Sequence, residues 1–139
     1  MTNSTAAKIL AVDDEATCLE IIKFSLTTRG YEVFAVEGGV EAIEFLKTND
    51  HKIDLILLDM MMPQMDGIET LKQIREIDSA RLIPVIFQTG TSHYAPINKA
   101  QDEGNIDYVI RKPYKRDDLI KVIHIALADK IAYENSTNN

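Results

Sequence analysis

At 139 residues, 45% hydrophobic and 27% charged, the chain suits one soluble globular domain with a real core. Its 15 basic and 22 acidic side chains leave a formal charge of −7, which disfavours nucleic acid or an anionic membrane as partner. The single cysteine, Cys18, excludes an internal disulfide and suits a cytoplasmic setting, and no apolar run approaches the roughly 20 residues that span a bilayer.

The polar start, Met1–Thr5, lacks the features of a signal peptide and reads as the larger part of a disordered tail over residues 1–6. Lys8–Asp13 is a short apolar strand that ends in Asp13-Asp14-Glu15. Thr17 to Arg29 carries Leu19, Ile22 and Leu26 at helical spacing, and Gly30 is a good stop. Tyr31–Val36 reads as a second strand nearer the sheet edge. Gly38-Gly39 opens a helix to about Lys47. Ile53 to Asp59 is a near-continuous apolar run, the pattern of a strand buried on both faces of a parallel sheet. Pro63 stops further pairing, and Asp66-Gly67 offers turn and cap chemistry before a helix to about Ile77. Ile83–Phe87 is a fourth strand leading to Gln88-Thr89-Gly90. A short fourth helix is expected from Pro96 to Glu103 and a fifth strand from Ile106 to Ile110, broken by Lys112-Pro113. A last helix runs from about Arg116 to Tyr133, and 135–139 reads as a second disordered tail.

Five strands alternating with five helices imply right-handed crossovers and a doubly wound α/β domain over residues 7–134. The flavodoxin-like order 2-1-3-4-5 places strands one and three side by side. Asp13 and Asp14 then meet Asp59 at one sheet edge, beside Thr89 and Lys112 from strands four and five. Three carboxylates in one pocket repel, so the cluster needs a cation, and hard oxygen donors suit Mg²⁺. A metal, a lysine and a hydroxyl around one aspartate can hold phosphate oxygens while that aspartate attacks phosphorus.

These residues, together with Leu57-Leu58-Asp59-Met60-Met61-Met62-Pro63-Gln64-Met65-Asp66-Gly67, resemble the receiver domain of bacterial two-component response regulators, including the single-domain chemotaxis type. The resemblance spans about residues 7–132. It implies that Asp59 is a phosphoacceptor and that Asp14, Asp59 and the Met61 carbonyl ligate Mg²⁺, with Asp13 acting mainly through water. It further implies that Lys112 binds the phosphoryl group, that Thr89 swings in to hydrogen-bond it, and that Lys112-Pro113 is a candidate cis peptide.

The implied donor is a sensor histidine kinase, a phosphotransfer protein or a small phosphodonor. The implied output is an unidentified partner protein that reads the face made by the fourth helix, fifth strand and last helix. Such a domain catalyses only its own phosphorylation and dephosphorylation. In the family an aromatic residue usually lies three positions before the lysine, where this chain has Val109, and Tyr108 lies four before. A bulge in the fifth strand leaves Tyr108 in that role, the leading reading; an insertion in the preceding loop leaves Val109.

Other residues have plainer readings. Met60, Met61, Met62 and Met65 suit gap-filling near a loop. Cys18 and Tyr114 suit packing, and His51, His93 and His124 suit the surface. On the last helix, Leu119, Ile123, Ala126 and Leu127 form the core stripe, with Ile125 almost opposite, where it can belong to a partner surface. Two competing classes are a haloacid-dehalogenase-like phosphatase and a receiver-shaped module that is never phosphorylated. The first wants an acid at Met61. The second leaves the acidic pocket without a use.

Overall fold

The computed structural model describes residues 6–48, 52–90 and 108–137. Among them the order is β1 (Lys8–Val12), α1 (Ala16–Thr27), β2 (Glu32–Val36), α2 (Gly39–Thr48), β3 (Leu55–Asp59), α3 (Gly67–Arg75), a 3-10 turn (Asp78–Ala80), β4 (Val85–Thr89), β5 (Tyr108–Arg111) and α4 (Arg116–Thr137). The strands form one parallel sheet in the order β2-β1-β3-β4-β5. This is the flavodoxin-like arrangement expected from the alternation of elements. The described residues hold four α-helices rather than five, because the helix expected over 96–103 lies outside them.

Alternation along each strand divides the core into two layers. Leu10, Val12, Ile56, Leu58, Val85 and Phe87 pack with Ala42 and Ile43 of α2 and with Leu71 and Ile74 of α3. Ile9, Ala11, Leu55, Leu57, Ile86 and Ile110 pack on the other face with Leu19, Ile22 and Leu26 of α1 and Leu119, Ile123 and Ala126 of α4. Every residue of β3 and β4 is buried, so both faces of these central strands must be apolar. Each such Leu or Ile contributes about 1.5–3 kcal/mol over leaving it exposed. Against that background Asp59, Gln88 and Thr89 are the polar residues of these two strands, all at or next to their carboxyl ends.

Helix ends follow local chemistry. Asp66 caps α3 by accepting from the Glu69 amide at 2.9 Å. Of the boundaries that differ from those the sequence suggests, two have a clear physical reason. Strand β4 runs to Thr89, beyond the expected Phe87, because its ladder with β5 continues through Thr89 and Arg111. Helix α4 runs through Asn135 and Ser136 to Thr137, where a polar tail was expected. Extending a formed helix adds one hydrogen bond per residue without a new nucleus, so weak helix formers follow at its end. Ile125 is exposed on α4, opposite the buried Leu119, Ile123 and Ala126.

Candidate functional site

Adjacent strands β1 and β3 finish at the same edge, and this brings the acidic residues together. Asp13 and Asp14 follow β1 directly, and Asp59 is the last residue of β3. One carboxylate oxygen from each of the three lies within 4.8 Å of the others. Asp13 and Asp59 are buried, while Asp14 is open to solvent. Asp13 is held on both oxygens, since the Glu15 amide donates to Oδ1 at 3.0 Å and Lys112 Nζ donates to Oδ2 at 3.1 Å.

Lys112 enters from the far side of the sheet, just past β5, and its ammonium also lies 3.0 Å from Asp59 Oδ1. Its backbone amide donates to the Thr89 carbonyl at 2.7 Å, which fixes where the side chain starts. The Lys112–Pro113 peptide is cis.

The electrostatics are lopsided. Burial pushes the Asp59 carboxyl up to about 6, helped by repulsion from Asp13 and Asp14 and opposed by Lys112. Burial works to lower the Lys112 ammonium, but hydrogen bonds and charge from Asp59 and then Asp13 outweigh it and hold the group above its ordinary value. The two partners respond differently because one ammonium is shared. Lys112 has two close carboxylates, whereas Asp59 has one lysine and two acidic neighbours. Among the described residues, three carboxylates against one ammonium leave an unmet negative charge in a partly desolvated pocket. Oxygen donors of this kind fit a hard divalent cation such as Mg²⁺, and Asp13, Asp14 and Asp59 are the side chains placed to hold it.

Thr89 is buried at the end of β4, and its hydroxyl donates to the Gly90 carbonyl at 2.9 Å. Met61 lies where the chain leaves β3, with its side chain half exposed. Gly67 is required close by. A Cβ there would lie 2.5 Å from the Asp59 carbonyl oxygen, 2.7 Å from Phe87 Cε1 and 2.9 Å from Met60 Cα.

Strand register bears on the choice between Tyr108 and Val109. β4 and β5 pair one to one from Ile86–Tyr108 to Thr89–Arg111, so no bulge absorbs an extra residue in β5. Register partners in a sheet share a face, which places Val109 with Phe87 and, two residues on, with Thr89. Tyr108 takes the opposite face, packs toward the α1/α4 layer and donates its hydroxyl to Asp129 Oδ2 at 2.6 Å. Val109, not Tyr108, therefore occupies the position on the Thr89 side.

Tyr114 does more than the packing its position suggests. Its hydroxyl donates to Gln88 Oε1 at 2.5 Å, and burial pushes that hydroxyl up to about 12. A Gln inside Val85-Ile86-Phe87-Gln88 was the available signal, since a buried amide needs a partner. Cys18 is partly buried, and burial, with Asp13 and Glu15 next, pushes its thiol up, as befits a packing residue rather than a reactive thiolate. Met60 and Met62 are buried in the α2/α3 layer. His124 lies 6.4 Å from the Tyr31 ring, and His51 and His93 fall outside the described residues.

Residues 9–124 match the model of the response regulator receiver domain. The chain belongs to that family. The receiver domain is 36% identical over 123 residues to chemotaxis protein CheY of Bacillus subtilis, covering 88% of this chain and 98% of CheY. It is 35% identical over 122 residues to the transcriptional regulatory protein ResD of B. subtilis, covering 88% of this chain but 49% of ResD. A receiver domain protein from Clostridium thermocellum superposes with a TM-score of 0.83 at 34% identity, over 91% of this chain and 98% of that one. The receiver domain of a Pseudomonas aeruginosa sensor histidine kinase, with a magnesium ion coordinated in its active-site cleft, gives a TM-score of 0.77 at 25% identity, over 88% and 98%. Receiver domains are signalling switches rather than turnover enzymes. They bind Mg²⁺ at an acidic pocket and work with histidine kinases or phosphotransfer proteins and with output partners. Among the described residues no helix is long and apolar enough to cross a membrane.

Proposed function

We propose that residues 7–134 form a cytoplasmic, phosphorylation-controlled switch in which Asp59 receives a phosphoryl group from a sensor histidine kinase, a phosphotransfer protein or a small phosphodonor. One observation carries this reading: Asp13, Asp14 and Asp59 converge within 4.8 Å while Lys112 reaches Asp59 at 3.0 Å. An Asp59 carboxylate oxygen attacks phosphorus and the donor nitrogen or oxygen leaves. Although burial holds the Asp59 carboxyl near 6, the attacking oxygen is ionised at neutral pH.

Asp14, Asp59 and the backbone carbonyl of Met61 would hold Mg²⁺ directly, and Asp13 through water. Held there, Mg²⁺ would supply charge neutralisation for the phosphoryl oxygens. Lys112 turns from Asp59 and Asp13 to the incoming phosphoryl oxygens. Thr89 gives up the Gly90 carbonyl and donates its hydroxyl to the same group. That movement disturbs the packing around Val109 and reaches the face made by the predicted fourth helix, β5 and α4, where a partner protein reads it. Hydrolysis of the acyl phosphate resets the domain.

A haloacid-dehalogenase-like phosphatase is disfavoured because Met61 stands where its general acid is needed. In the test, purified protein is incubated with acetyl phosphate and Mg²⁺ and analysed by intact mass. The reading expects one phosphoryl adduct on the wild type and none on Asp59→Asn. An Asn variant labelled as fast as wild type sinks the assignment.

A further inference from the structure

The end of β4 braces both sides of the pocket. The Gln88 carbonyl accepts from the amide of Met60, the residue after Asp59, at 2.9 Å, and the Thr89 carbonyl accepts from the amide of Lys112 at 2.7 Å. Gln88 is the register partner of Asp59, so the two side chains lie on the same face of neighbouring strands. The Gln88 side chain is fully buried and its Oε1 takes the hydroxyl of Tyr114, two residues past Lys112. A third brace thus runs from the same strand end to the far side of the Lys112-Pro113 turn.

This brace carries a cost that packing alone does not explain. Among the described residues, Gln88 Nε2 is buried with no hydrogen-bond partner. A Leu at 88 facing a Phe at 114 would fill the same layer, between Ile86, Ile110 and the α1 and α4 residues, and leave no amide unmet. Stability alone favours an apolar pair at these two positions. What the polar pair achieves is the placement of one turn.

The geometry points to Gln88 and Tyr114 as positioning residues for Lys112, tying the turn that carries the ammonium to the strand end that carries Thr89 and flanks Asp59. The consequence for phosphoryl binding rests on the function proposed above, whereas the consequence for Lys112 itself does not. Neither residue touches the phosphoryl group. They act by limiting where the ammonium can go, so that it bridges Asp13 and Asp59 before a phosphoryl group arrives and needs little reordering afterwards.

The test uses the full chain as wild type, Tyr114→Phe and the double variant Gln88→Leu/Tyr114→Phe. Tyr114→Phe keeps the ring but strands the Gln88 amide, so it is expected to melt lower; the apolar double variant recovers that loss. Two readouts separate placement from stability. The first is the Lys112 side-chain NMR signal in metal-free protein, whose two Hε protons are inequivalent while the ammonium is held. The second is the affinity for beryllofluoride at saturating Mg²⁺.

In both variants the Hε protons are expected to merge and beryllofluoride to bind roughly five- to tenfold more weakly, the size of one lost hydrogen bond. A double variant that regains the wild-type Lys112 signal and beryllofluoride affinity along with its stability overturns the proposal. So does a Tyr114→Phe protein unchanged in both readouts. If the Lys112 signal merges as expected while even wild type takes no beryllofluoride, the positioning role stands and the phosphoryl-binding function falls.

Discussion

Asp59 is the residue on which charge, burial and chemistry conflict. The carboxyl must be ionised to attack phosphorus, yet burial and two acidic neighbours raise it from 3.8 to about 6. A group raised on folding contributes stability that is fully present below its unfolded value and lost as pH rises through its folded one. Metal-free protein is therefore expected to lose stability between about pH 4 and 6 on account of this side chain. Asp59→Asn removes the loss, so above pH 6 the variant should be more stable than wild type by about 1–2 kcal/mol, less than the full shift because Lys112 loses a partner. At pH 4 the two should converge. Urea melts in EDTA at pH 4 and pH 8 check this, and a variant less stable than wild type at pH 8 contradicts it. The same conflict separates the residues readable from sequence from those that are not. Asp13, Asp14, Asp59, Thr89 and Lys112 stand out because each is a polar residue at the end of an apolar run. Gln88 also closes such a run, but its pairing with Tyr114 is not readable there, since whether a buried amide and a phenol meet depends on how two elements pack.

Elements place these residues through tight local contacts, and Gly67 is the sharpest case. The first residue of α3 sits against the last residue of β3, where a Cβ would press on the Asp59 carbonyl, Phe87 and Met60. Two of those three atoms belong to backbone, which cannot swing aside. Gly67→Ala should cost about 1–3 kcal/mol by forcing α3 off the sheet, read as a lower Tm with helical content retained. Strand β5 shows the opposite limit of sequence reading. Its existence is evident from an apolar run ending at Lys112-Pro113, but which of Tyr108 and Val109 lies beside Thr89 turns on a single residue of register. The unbroken ladder from Ile86 to Thr89 assigns Val109 to that face and sends Tyr108 to Asp129. Accordingly, Tyr108→Phe should cost less than about 1 kcal/mol, the worth of an exposed hydrogen bond, and leave beryllofluoride binding within twofold of wild type. A larger drop in that affinity would restore Tyr108 to the switch.

At the scale of the molecule, the parallel sheet gathers like charges that no single segment contains. Strand order β2-β1-β3-β4-β5 was legible from the alternation of elements because right-handed crossovers leave few ways to connect them. That order sends all strand ends to one side, so the acidic cluster follows from topology rather than from adjacency in sequence. The chain carries −7 overall, and among the described residues the pocket concentrates three carboxylates against one ammonium, so the folded state is strained electrostatically at this partly buried edge. A divalent cation held by Asp13, Asp14 and Asp59 relieves this in the folded state alone, because the unfolded chain scatters the three carboxylates. Linkage then makes stability depend on ion concentration: above the dissociation constant, each tenfold rise in Mg²⁺ should contribute about 1.4 kcal/mol, or roughly 3–6 °C in Tm for a domain of this size. General screening predicts a different pattern, in which NaCl at matched ionic strength gives the same rise. Thermal melts across a Mg²⁺ series, with NaCl controls and with Asp14→Asn, distinguish the two. Site binding requires a rise specific to the divalent ion and blunted in Asp14→Asn, since Asp14 is a proposed ligand and, as the exposed member of the cluster, is the one whose loss least disturbs the core.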